Sequence, residues 1–243
     1  PTALADQLLP TAKIVEQTLG EAERQVSGKD SELSGRVKLS LPAVPVTHIS
    51  ESVAEFAQKY PRIELDISVS DQPVDLARRE ADIAVRGLPK DQRPPKDIVG
   101  IKIGRISLGY YVHKELLSEA ARGQRRLTCI RASHTVLNLG DLPAPETLGL
   151  ESRHLIDGLT PRMVAVTHKL GVAALPCFLA TQHPDLILLP GIPSAHWGST
   201  WLLHHKDLRQ SARIRALFKH LSELGEKWPS AWDTSIEAQI KVA

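Results

Sequence analysis

Gly35-Arg36-Val37-Lys38-Leu39-Ser40-Leu41-Pro42-Ala43-Val44-Pro45 is the stretch that decides the fold. Val37, Leu39 and Leu41 alternate with Arg36, Lys38 and Ser40, the period of a strand with one buried face. Pro42 has no N–H to donate and ends the ladder. Val46, Ile49, Val53 and Phe56, with Ala57, then follow a helical spacing up to Tyr60-Pro61. A second alternating run holds Ile63, Leu65, Ile67 and Val69. Strand, helix and strand at this spacing predict a βαβ unit with a right-handed crossover. Ligands of open α/β sheets sit beyond the carboxyl ends of the strands. That rule makes Leu41, Pro42, Ala43 and Val44 a candidate ligand mouth, where the following helix N-terminus favours anions. The alternative is an ordinary βα loop over a buried sheet.

Upstream, the pattern changes. Leu8, Ala12, Val15, Leu19, Ala22 and Val26 recur at alternating steps of four and three. This is an a/d seam of about three heptads. So narrow an apolar stripe predicts a partner helix, hence a dimerisation coiled coil; the alternative is a helix packed on its own domain. Pro10 argues for a kink or a late start, and Ser27-Gly28-Lys29-Asp30-Ser31 reads as a linker.

Downstream, Asp71 or Asp75 is expected to cap a short helix, and Ala81 to Arg86 reads as a short buried strand. Its end, Arg86-Gly87, falls at the same sheet edge as Pro42. Leu88 to Asp97 reads as a loop. Ile98 to Val112 is a β-rich run longer than a typical strand, implying a bend or a passage between subdomains. A helix is expected over 113–121, then a basic surface loop at 122–126. A buried strand, Leu127 to Ile130, leads into Arg131-Ala132-Ser133. Residues 133–151 show poor periodicity. Thr160 as N-cap and Pro161 at the first position predict a helix to Leu170, closed by Gly171. Strands are expected at 172–176, 186–190 and 200–204. Ile214, Leu217, Phe218, Leu221 and Leu224 predict a final amphipathic helix, with a loosely ordered tail from Pro229.

Composition sets the class. Of 243 residues, 42% are hydrophobic and 24% charged, which suits a globular chain with an aliphatic core, aromatics being 4%. A net charge of +2 is too small to argue nucleic-acid binding by this chain. Cys129 and Cys177 both lie in apolar segments and read as reduced core thiols of a cytosolic protein. No apolar run reaches about 18 residues, so no membrane span is expected. No signal peptide is visible, and because residue 1 is Pro the chain is expected to be a fragment or a processed form.

No catalytic set emerges. A Gly-x-Ser-x-Gly elbow, a Walker loop and a Gly-x-Gly-x-x-Gly turn are all missing. His204 and His205 would point to opposite faces of a strand, and His183 and His196 lack partners at ligand spacing. Neither cysteine has a local activating base. No metal, no cofactor and no enzymatic activity are therefore expected.

Several segments taken together resemble a known family. Leu33-Ser34-Gly35-Arg36-Val37-Lys38-Leu39-Ser40 and Phe56-x-x-x-Tyr60-Pro61-x-Ile63-x-Leu65 are similar to the start of the effector-binding domain of LysR-type transcriptional regulators. Ser70-Asp71-Gln72-Pro73-Val74-Asp75-Leu76, Asp82-Ile83-Ala84-Val85-Arg86 and Gly171-Val172-Ala173-Ala174-Leu175-Pro176 follow in the family's order. Leu4 to Pro10 resembles the junction of its DNA-binding domain with the linker helix, and the similarity runs from about residue 3 to 225.

The resemblance implies an α/β, periplasmic-binding-protein-like fold: two Rossmann-like subdomains joined by two crossing strands, near Ile106–Tyr111 and Trp201–His205. It implies a linker or dimerisation helix at 1–28 and subdomain I at 36–107 with 206–228. Subdomain II would be 108–205 and the tail 229–243. The family's winged helix-turn-helix is missing from the N-terminus, so operator DNA would be bound by that absent part. The partners implied are a small effector, expected to be anionic, and a second copy of the chain, as dimer or tetramer. The effector cleft would be lined by Leu41, Pro42, Ala43, Val44 and Arg86 on one side. Ile130, Arg131, Ser133 and Leu175 would line the other. Many members carry Ser or Thr where this chain has Ala43-Val44, so Arg131 or Ser133 is expected to supply the polar anchor. The competing readings are a solute-binding protein of a transport system and an enzyme on a similar scaffold.

Overall fold

The computed structural model describes residues 11, 15, 18, 32–43, 46–70, 74–132 and 139–227. Strand β1 (Gly35–Leu41), helix α1 (Val46–Lys59) and strand β2 (Ile63–Val69) form the expected βαβ unit. β1 and β2 pair in parallel, with Leu39 opposite Ile67 and Leu41 opposite Val69. The alternation works as the period of two requires: Val37, Leu39 and Leu41 are buried, while Arg36 and Lys38 are exposed. The buried face packs on Ile49, Val53 and Phe56 of α1, and on Ile214, Leu217 and Leu221 of the last helix. Each such side chain contributes about 1.5–3 kcal/mol by leaving water.

Strand β3 (Ile83–Pro89) runs parallel to β1, with Leu39 opposite Ile83 and Ser40 opposite Ala84. The next strand, β4 (Ile98–His113), is long because it serves two halves of the molecule. Helix α2 (Lys114–Ala121) follows, capped by His113, whose Nδ1 accepts the Glu115 N–H at 3.2 Å. The second half adds β5 (Thr128–Arg131), β6 (Glu151–Leu155), α3 (Leu159–Thr167), β7 (Ala173–Pro176), the one-turn α4 (Cys177–Ala180) and β8 (Leu186–Leu188). The chain returns through β9 (Ala195–His205) to α5 (Ala212–Lys227).

The main sheet has the order β2-β1-β3-β9-β4-β7, with β8 also on β4, while β5 and β6 make a separate parallel pair. β4 and β9 are the two crossing strands, antiparallel to each other from Ile98 opposite His205 to Leu108 opposite Ala195. Irregularities between Lys102 and Gly104 and between Ile106 and Ser107 bend the pair. The first half of β4 lies in the sheet with β3 and β9; its second half pairs with β7 and β8. Gly198 is needed at this passage: a Cβ there would sit 2.0 Å from the Leu88 carbonyl oxygen. On β4 the passage overlaps the expected Ile106–Tyr111, since pairing changes from β9 to β7 at Leu108; on β9 it falls before the expected Trp201–His205. Trp201 to His204 are fully engaged with Ile83 to Arg86 of β3, inside the first sheet.

Separate cores form on the two sides of the crossing. One surrounds β1 and is closed by α1 and α5. The other side of the crossing holds Leu108, Tyr110, Val112 and Cys129 in one cluster and Tyr111, Ile130, Leu175 and Cys177 in another.

Local differences from the sequence reading have local causes. Asp75 does cap, accepting the N–H groups of Ala77 and Arg78, but it closes a turn rather than a helix; Asp71 lies outside the described residues. β3 runs on through Pro89, into the expected loop, because β9 pairs with it that far. α3 starts two residues early, at Leu159 after the cap Gly158, whose φ of 78° is a glycine conformation, so Thr160 is not the cap. It also ends early, and Lys169 (φ 62°), not Gly171, takes the left-handed turn. β6 and α4 were not expected at all. β6 alternates exposed and half-buried residues and carries no apolar signal. Of the N-terminal seam, Val15 is helical and exposed; Leu8, Ala12, Leu19, Ala22 and Val26 lie outside the described residues.

Candidate functional site

β2, β1 and β3 lie side by side and parallel, so their carboxyl ends open on one edge. Three polar side chains meet there. Ser40 and Ser68 are register partners, and the Ser68 hydroxyl donates to Ser40 Oγ at 3.2 Å. Arg86 reaches across from β3 and donates from Nη2 to Ser40 Oγ at 2.7 Å. Its Nη1 donates to the carbonyls of Val85 at 2.7 Å and Ser40 at 3.3 Å. The guanidinium is thereby held in one orientation. Ser40 is fully buried, so it positions Arg86, whereas Arg86 is half-buried and Ser68 exposed. The carboxylates nearest Arg86 in sequence stand before the start of β3 and are engaged there: Asp82 accepts the Lys38 N–H at 2.8 Å and Glu80 accepts the Asp75 N–H at 2.7 Å.

Thr200 lies nearby but on the other face of the sheet: it stands opposite Gly87 on β9, next to the Arg86–Trp201 pair, and successive strand residues alternate faces. Its hydroxyl is buried and has no hydrogen-bond partner among the described residues. An orphaned buried hydroxyl loses hydration without compensation and calls for an explanation such as a ligand or a water. A fixed guanidinium with hydroxyls at its side suits a carboxylate or phosphate, through charge-assisted hydrogen bonds.

The sequence-expected residues divide. Leu41, Pro42 and Arg86 are together at this edge, with Ala43 beside them. Leu41 is a core side chain, so at most its backbone faces the mouth. Ile130 and Leu175 are likewise buried in the second half. Arg131, at the end of β5, is exposed, and its carbonyl accepts the Ile156 N–H at 2.8 Å. Val44 and Ser133 lie outside the described residues. Ser40 and Ser68 are not among the residues the sequence points to. The expected place for a hydroxyl is after the strand, at Ala43-Val44, whereas Ser40 and Ser68 stand within the strands, on the face away from Leu39 and Leu41. Equal spacing of Ser40 and Ser68 from the strand starts was the available signal.

The thiols fit a core rather than a reactive centre. Burial pushes Cys129 up to about 11, with Glu146 adding to it. Burial also raises Cys177, against hydrogen bonds with Tyr111 and Ser194 that lower it. Among the described residues no group of three or more His, Cys, Asp or Glu is placed to hold a metal. No helix among them is long and apolar enough to cross a membrane.

A family model described as the LysR substrate binding domain matches residues 30–226. The chain belongs to this LysR substrate-binding domain family. Its relatives include a probable HTH-type transcriptional regulator, LtrA of Klebsiella pneumoniae, 26% identical over 85% of this chain and 72% of that protein. The HTH-type transcriptional activator IlvY of Haemophilus influenzae is 28% identical over 44% of this chain and 37% of that protein. The full-length Vibrio cholerae virulence activator AphB matches the fold with a TM-score of 0.65 at 17% identity, covering 90% of this chain and 79% of that one. The effector domain of the Pseudomonas aeruginosa regulator AmpR matches with a TM-score of 0.61 at 16% identity, covering 86% of this chain and all of that domain. At these identities the structural likeness speaks for the fold. As a LysR-type effector-binding domain, this chain carries its Ser40–Ser68–Arg86 cluster at the strand ends of its first half.

Proposed function

We infer that this chain is the sensing part of a LysR-type DNA-binding transcriptional regulator, and that it binds a small anionic inducer in the cleft between its halves. The halves are taken as 36–107 with 206–228, and 108–205, except that the pairing of Trp201 to His204 with β3 joins the end of β9 to the first half. The observation that carries this reading is the guanidinium of Arg86 on β3, fixed by Ser40 near the carboxyl end of β1, where β1, β2 and β3 run parallel. Arg86 and Ser68 present the anion site from the first half; Arg131 and Ser133 contribute from the second. A ligand held by both halves stabilises the arrangement in which they lie closest, and that population shift is the signal. The 1–28 helix couples the signal to self-association as dimer or tetramer. A winged helix-turn-helix domain of the whole protein reads the operator, in the cytoplasm. The related proteins are described as regulators, which favours regulation over transport or catalysis.

The test is a thermal-shift screen against small carboxylates and phosphate esters, run on wild type and Arg86→Gln in parallel. A true effector at about 100 times its dissociation constant adds about 2.7 kcal/mol to wild-type stability. The shift is expected to shrink in Arg86→Gln. Hits that are all uncharged, or shifts equal in both proteins, would contradict the anion reading.

A further inference from the structure

A cavity of about 240 Å³ lies at the opposite end of the first sheet, lined by Arg36, Lys38, Arg79, Asp82, Leu208, Arg213 and Ile214. It sits where β1 and β3 begin and where α5 starts, whereas the Arg86 cluster sits where those strands end. Four cations and one carboxylate line it. Asp82 is tied down by a reciprocal pair: it accepts the Lys38 N–H, and its own N–H donates to the Lys38 carbonyl. Arg36 also reaches outward to Glu64, at 2.8 Å.

Two further features favour an anion here. The first N–H groups of a 16-residue helix have no partner inside that helix and carry its positive end. Arg79 is held at φ 59°, a left-handed conformation that a non-glycine residue adopts at some expense in energy and that clusters at ligand sites. The Arg213 guanidinium lies about 3.9 Å from where a Cβ of Gly35 would be, over the start of β1.

We propose that this cavity is a second anion-binding site, separate from the inter-half cleft, for a small polyanion carrying phosphate or several carboxylates. Arg213 and Arg79 supply planar forks that match either group, and Lys38 supplies a point charge. The volume is below the range usual for drug-sized ligands and suits a compact molecule. Leu208 and Ile214 give it an apolar wall. Such a ligand would bridge β1, β3 and α5 at the point where the chain enters the domain from its N-terminal segment.

Titration calorimetry of the full chain with inorganic pyrophosphate and, separately, with citrate at near-physiological salt tests the site. The pair of probes separates phosphate from carboxylate chemistry. Saturable one-site binding of at least one probe is expected, weakened tenfold or more in Arg213→Gln and Arg79→Gln. If either variant fails to fold, the exposed Lys38→Gln carries the same test. Arg86→Gln, at the other end of the sheet, is expected to bind as wild type does, so failure of the cleft reading leaves this result distinct. No saturable binding of either probe overturns the proposal. So does an equal loss in the surface control Lys59→Gln, which would mark non-specific charge attraction.

Discussion

Arg86 shows how a residue's role follows from what fixes it. Its charge alone is ordinary for a strand end; its bonds to Ser40 and to the Val85 carbonyl turn it into an oriented fork. The sequence carried the residue and its sheet edge, because strand alternation and βαβ logic put Pro42 and Arg86 at one end. It did not carry the hydroxyl pair, since the pairing of Ser40 with Ser68 depends on a register that only the folded sheet sets. Two predictions belong at this scale. Cys129 and Cys177 are expected to label with a thiol reagent only as the protein unfolds, because burial raises both and shields both. Native-state labelling as fast as that of a free thiol would refute the core assignment.

His204 gives the second. Its ring meets Phe218 edge-on, and burial holds it below the ordinary value of 6.5, with Arg209 and His205 adding to that and the bond to the His205 carbonyl opposing it. The unfolded chain therefore binds this proton more readily than the folded one. Stability from this group is complete above about pH 6.5 and is lost as the pH falls toward the depressed folded value. Urea midpoints at about pH 7.5 and about pH 5 are expected to differ less in His204→Gln than in wild type. An unchanged difference would assign the pH dependence to other groups.

Among the elements, those with an apolar face were legible and those without were not. α1 and α5 announce themselves by spacing because they pack on β1. β6 is hidden because no face of it is fully buried, and β9 is longer than it reads because Ala195 to Ser199 pair through the bent crossing rather than through a core-facing alternation. α3 is misplaced at both ends because Gly158 and Lys169 take the turns expected of Thr160 and Gly171. The packing of α5 makes a quantitative prediction. Leu217 is fully buried against β1 and α1, so Leu217→Ala is expected to destabilise by about 2–5 kcal/mol. Exposed Lys219→Ala on the same helix should stay within about 0.5 kcal/mol. Chemical denaturation of the two variants measures this, and similar midpoints would show that α5 is not part of the cooperative core.

In the whole molecule, β4 and β9 run through both halves, so a ligand held between the halves acts on strands that belong to each. The proposed self-association through the heptad seam is a separate matter. Leu19→Lys is expected to reduce the sedimenting mass while leaving the circular dichroism of the α/β part unchanged; an unchanged mass would remove the seam from assembly. The central claim is that an anion is recognised in the cleft by Arg86. Titration calorimetry of one carboxylate or phosphate found by the stability screen, on wild type and Arg86→Gln, tests it most directly. Loss of a charge-assisted hydrogen bond costs on the order of 1.5–3 kcal/mol, so Arg86→Gln is predicted to bind roughly ten- to a hundredfold more weakly. Equal affinity in the two proteins would contradict the account.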